Sequence, residues 1–257
     1  MDTHYLGLFA AYSTFVAVTL FIVRRRHPPN GHAATIWPAT DRVLFARPWL
    51  ELGLLLAAII GIILVGQLYQ AGYLLPNRAP FSPIAEMANQ VLIFSPLLLL
   101  LLLRRQSLHT ALLPSRRLGP RALSSLTLAA LAAFAYSLAV RDFGRIPDAM
   151  MAETELGRLP SHAVQVFLED FAIAMLLVRL AAVLRSEWAA GLGVAALFPA
   201  LHVPAMLSTG EGLSTANFAN LGLDFAIGVV VMVGLLKTRD VLWLFPTHFL
   251  MDVAQFG

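Results

Sequence analysis

The stretch NFANLGLDFAIGVVVMVGLLKTRDVLWLFPTHFLMDVAQF, residues 217–256, decides how the chain is read. Two apolar runs, 217–236 and 241–256, meet at the polar turn Lys237-Thr-Arg-Asp240. Neither run alternates as a barrel strand does. Lipid offers backbone groups no water, so a continuous apolar run at membrane depth must be helical. The same stretch carries Asp224, His248 and Asp252 inside its apolar runs. An ionisable group costs a few kcal/mol or more at membrane depth, so each demands a reason.

Working outward, further apolar runs cover 5–23, 49–69, 88–103, 122–140, 163–184 and 188–207. A bilayer-crossing helix needs about 20 apolar residues. The pattern predicts an all-α, polytopic membrane bundle of about eight transmembrane helices. It divides into helices 1–4 with their loops over 1–162 and a core of helices 5–8 over 163–257, all within one integral membrane domain. Composition agrees: 58% of the 257 residues are hydrophobic and 13% charged, with a mean hydropathy of +0.74. Soluble domains are nearer half apolar and a quarter charged. These figures exclude an ordinary soluble enzyme, a disordered chain and a nucleic-acid module. The pI of 9.7 does not reverse that, because the net charge is only +3. The absence of cysteine excludes disulfides and thiolate chemistry.

The basic residues set an orientation. Connections after odd-numbered runs hold 13 of the 18, those after even-numbered runs hold 4, and Arg179 lies inside a run. Positive charge gathers on the cytoplasmic side, so both chain ends are expected outside. Arg24, Arg25 and Arg26 follow the first run, the reverse of a secretory signal, which predicts an uncleaved anchor. The connection from Arg141 to His162 reads as a solvated outer loop. His4 and His162, near run ends, read as solvated too, and Arg179 as snorkelling to the cytoplasmic edge.

The ionisable groups inside the runs collect in the second half. Glu169 and Asp170 are adjacent, followed by His202, Asp224, His248 and Asp252. Counted from the expected outer ends, they fall within one or two turns of a common level. His248 and Asp252 are four apart and share a helix face. Asn220 is one turn before Asp224 on its face. Pro199, Pro204 and Pro246 lie near the imidazoles, where proline frees carbonyls and marks helices lining cavities. A carboxylate with imidazoles in such a place can activate water for attack on an amide. Glu169, His202 and His248 would equally suit Zn²⁺, so the metal stays open. His-Glu-x-x-His and Gly-x-Ser-x-Gly are both missing.

In order and spacing these residues resemble the CPBP family of intramembrane proteases, also called the Abi or type II CAAX prenyl protease family. Its signatures are Glu-Glu-x-x-x-Arg, Phe-x-x-x-His and His-x-x-x-Asn/Asp. Phe198-Pro-Ala-Leu-His202 matches the second and His248-Phe-Leu-Met-Asp252 the third. The first is altered: Glu169-Asp170 replaces Glu-Glu, and Ala174 occupies the Arg position. The resemblance covers about residues 163–257. It implies an intramembrane endopeptidase in which Glu169 and His202 activate water. Asp170 would stand as the second acid, and His248 and Asp252 would stabilise the oxyanion. Phe198, Asn220 and Asp224 are expected to line the site. The implied partners are the lipid bilayer and a peptide or protein tail, lipidated in some members, with no nucleic acid. Two rivals stand beside it. The altered first motif suits a non-catalytic scaffold or self-immunity protein, and the buried acids suit a proton-coupled transporter.

Overall fold

The computed structural model describes residues 3–26, 46–76, 82–113, 118–200, 203 and 215–256. Among them the regular structure is helical. In chain order the helices are α1 (Thr3–Arg26), α2 (Pro48–Gln70), α3 (Pro83–Ile93), α4 (Ser95–Leu103), α5 (Leu118–Val140), α6 (Arg145–Glu155), α7 (Leu159–Leu184), α8 (Glu187–Ala200), α9 (Thr215–Thr238) and α10 (Val241–Phe256). A 3₁₀ turn, Leu108–Ala111, follows α4.

Local chemistry fixes the breaks. Ser82 opens α3, its hydroxyl accepting from the Ala85 amide at 3.3 Å, with Pro83 in the first turn. Pro96 keeps the preceding turn from continuing, so α3 and α4 meet at a bend of 55°. Arg105, Arg141, Arg185 and Arg239 all adopt positive φ where helices end. Glycine usually fills such left-handed caps. Here arginine takes that position, and Arg239 also pairs with Glu187 at 3.5 Å.

Among the described residues four helical stretches are long and apolar enough to cross a membrane: Thr3–Val23, Pro48–Gln70, Leu118–Val140 and Phe218–Thr238. The bent pair α3–α4 makes a fifth if it counts as one span. Of the expected eight spans, four or five meet that length and apolarity among the described residues. α7 is long, at 26 residues, but Glu169, Asp170 and Arg179 interrupt it. α10 has only 16 residues, and α8 is also short. The surface fits this reading. Ile84, Leu103, Tyr73 and Trp49 are each more than 70% exposed, and α2 presents Leu56, Ile60, Ile63, Leu64 and Leu68 outward. Soluble monomers rarely expose so large an apolar face, whereas a multi-pass membrane protein is compatible with it.

Packing forms two buried clusters. One surrounds α7, where Phe171, Ala174, Met175, Leu177 and Val178 meet residues of α2, α4, α8 and α9. The other joins α1, α5 and α10 through Phe15, Leu128, Tyr136 and Met251. α9 packs against α8 and α1, and α10 against α5 and α7, so this last pair ties the clusters together. Small residues let α8 and α9 approach closely. A Cβ on Gly228 would lie 3.3 Å from the Cα, Cβ and carbonyl oxygen of Ala195. Backbone cannot yield as a side chain can, so Gly228→Ala is expected to destabilise by about 1–3 kcal/mol. Thermal unfolding in detergent measures it.

Three expectations are corrected. The connection from Arg141 to His162 is not a plain solvated loop: it folds into α6, with Ile146 and Ala149 buried. Its apolar residues recur at helical spacing, and Asp142 Oδ1 accepts from the amides of Gly144 and Arg145 at 3.0 and 3.1 Å. Arg145 Nε then donates to the Ala254 carbonyl at 3.0 Å, docking α6 on the end of α10. Arg179 does not snorkel but is fully buried. Its guanidinium donates to Gln106 Oε1, to the Met175 carbonyl at 3.1 Å and to the Thr110 carbonyl at 3.4 Å. The turn after α4 thus offers closer acceptors than headgroups would. His4 and His162 are also not simply solvated. Each sits in the opening turns of its helix and turns inward to a partner, His4 Nδ1 to the Tyr136 hydroxyl at 2.8 Å and His162 to Asp252.

Candidate functional site

Where the two clusters meet, the helices leave a cavity of about 600 Å³. Glu169 and Asp170 of α7, Asp224 of α9, and His248 and Asp252 of α10 all line it. α1 adds His4, Tyr5 and Tyr12, Gln165 and Gln255 join from α7 and α10, and Ile173, Val194, Val231 and Met232 form an apolar stretch of wall. At about 1.5 Å per residue, Asp170 and Asp224 stand roughly 13–17 Å from the start of their helices. By the same measure, His248 stands about 12 Å from the end of α10. Antiparallel helices thereby bring their polar groups to one layer.

Two Asp–His pairs organise that layer. His248 Nδ1 lies 2.8 Å from Asp170 Oδ1. An ionised carboxylate only accepts, so Nδ1–H donates and Nε2 is left for another partner. Asp170 is fully buried, and its Oδ2 has no hydrogen-bond partner among the described residues. His162 Nε2 lies 2.6 Å from Asp252 Oδ2, with Glu153 of α6 beyond it, 3.8 Å from Nδ1. Glu169 Oε1 accepts from the Gln165 amide at 2.9 Å. This bond fixes one carboxylate oxygen.

Aromatic packing holds α7 and α10 in register. The His162 and Phe249 rings meet edge-on with centroids 5.6 Å apart, and Phe167 and Phe245 do the same at 5.5 Å. Pro246 lies within α10 just before His248 and removes one amide donor there. Pro199 does the same in α8.

The structure thus gathers Glu169, Asp170, Asp224, His248 and Asp252. Asn220, one turn before Asp224, stands outside the lining. His202 lies outside the described residues, and of Phe198 only its place in α8 is described. Among the described residues no three His, Asp or Glu side chains are grouped to hold a metal ion. The Glu169–His202–His248 set turns on His202. Ala174, at the position of the missing Arg, is fully buried in the apolar cluster around α7. No Lys or Arg is among the described lining residues.

The sequence reading missed His162, Gln165 and Tyr12. A signal for the first two was present: His162, Gln165 and Glu169 recur at i, i+3 and i+7, one face of α7. Tyr12 had no such signal, because its helix reads as a uniform apolar run.

Fold and site together define a class: an all-α bundle of membrane type enclosing an acid- and imidazole-lined cavity. No protein-family model, curated protein or solved structure matches the chain.

Proposed function

We propose that the chain spans the bilayer eight times and acts as an intramembrane endopeptidase of CPBP type. It hydrolyses a peptide bond in a membrane-associated peptide or protein tail. The observation that carries this reading is one cavity between apolar helices in which Glu169 stands beside the Asp170–His248 pair. Glu169, steadied by Gln165, takes a proton from water as it attacks the amide carbonyl. Asp170 holds His248 by Nδ1, so that Nε2 serves the reacting groups. Asp252, held by His162, completes the layer. The apolar wall from α7, α8 and α9 suits a tail arriving from lipid. The test compares cellular protein termini between wild type and Glu169→Ala at equal membrane levels. Termini that require Glu169 support the proposal.

One observation favours the scaffold reading: Ala174 leaves the site without the family's fixed cation. Partner binding that survives in Glu169→Ala, with identical termini, would establish it.

The charge count places the cavity nearer the outer face. The chain is free of cysteine, so single cysteines report sidedness directly. Gln255→Cys is expected to react with an impermeant thiol reagent applied outside, and Ser186→Cys only after permeabilisation. The reverse pattern inverts the topology.

A further inference from the structure

The cavity is rich in acceptors, and two of the donors beside Glu169 and Asp170 are already engaged. Glu169, Asp170, Asp224 and Asp252 accept when ionised. The Gln165 amide is bound to Glu169, and His248 Nδ1 to Asp170. Hydrolysis of an amide needs a donor where charge builds on the carbonyl oxygen.

Tyr12 of α1 supplies one. The residue is only 6% exposed and lines the cavity. No hydrogen bond joins its hydroxyl to another described residue, although a buried phenol ordinarily finds a partner. By helix rise it stands about 14 Å from the start of α1, level with Asp170, Asp224 and His248. Phe15, one turn on, and Leu8, one turn back, are buried and fix that face of α1 inward.

We propose that Tyr12 is a further catalytic residue, whose hydroxyl donates to the scissile carbonyl oxygen as it becomes an oxyanion. The inference rests on the peptidase reading. The water oxygen bonds to the carbonyl carbon, its proton passes to Glu169, and the carbonyl π electrons move onto oxygen. Tyr12 donates a hydrogen bond there and keeps its proton. Collapse restores the carbonyl and breaks the C–N bond, and the leaving nitrogen takes the proton from Glu169.

The experiment follows protein termini over time in isolated membranes carrying wild type, Tyr12→Phe or Glu169→Gln. Tyr12→Phe is expected to slow the Glu169-dependent termini about 100-fold. Its melting temperature is expected to match wild type, because the hydroxyl bonds no other described residue. A wild-type rate in Tyr12→Phe overturns the proposal and leaves the peptidase reading standing. A slowing that comes with a lowered melting temperature marks a structural role and also overturns it. If wild-type membranes yield no Glu169-dependent termini, the peptidase reading falls and the proposal with it.

Discussion

Glu169→Gln is expected to slow cleavage by up to about 10⁴-fold, while the protein melts at the same or a higher temperature. The size follows from the role: general-base catalysis contributes about 10²–10⁴-fold, and an amide cannot take up water's proton. The stability follows from burial. Glu169 sits among apolar helices, and among the described residues the Gln165 amide alone is bonded to it; Gln keeps both shape and acceptor there. A desolvated carboxylate costs free energy unless paired, so removing its charge relieves the fold. Activity lost while stability holds or rises is the signature of a functional residue. A packing residue would lose both. Rates of terminus formation and a detergent melting curve measure the two halves.

Arg179→Met is expected to do the opposite, lowering stability and leaving the cavity's chemistry in place. Arg179 lies on α7, ten residues beyond Glu169, inside a polar network. Gln106 connects it to Glu51, which is fully buried and receives the Gln106 amide and Arg104 Nη2, each at 2.6 Å. These bonds tie α2, the turn after α4 and α7 together. A methionine fills most of the volume but leaves Gln106 Oε1 and the Thr110 carbonyl without their donor. Each such orphan costs about 1–3 kcal/mol, so a loss of about 3 kcal/mol is expected. That corresponds to a melting temperature lower by roughly 10 °C. An unchanged melting temperature would show that the network does not hold α7.

Individual helices were legible in the sequence because an apolar run in lipid has one conformation open to it. The run 49–69 became Pro48–Gln70, and 241–256 became Val241–Phe256. What a helix packs against was less legible. Arg179 looked like a boundary residue because its own neighbours along α7 are apolar; its acceptor, Gln106, lies 73 residues away. His162 looked solvated for the same reason, since Asp252 is 90 residues distant. The polar layer was legible as depth, because antiparallel helices convert position along the chain into height. Depth says nothing of azimuth, so the choice of Asp170 as the partner of His248, and the entry of Tyr12 from α1, needed the packed bundle. α6 is a different case: the apolar spacing of Ile146, Ala149 and Met150 was present, but its acids and arginines suggested a loop.

The most direct test of the account is to let membranes carrying wild type or Glu169→Gln act in H₂¹⁸O and to sequence the protein C-termini that appear. The account predicts new C-terminal carboxylates bearing one ¹⁸O, made by wild type and absent from Glu169→Gln. The same termini in both samples, or none in either, would contradict it.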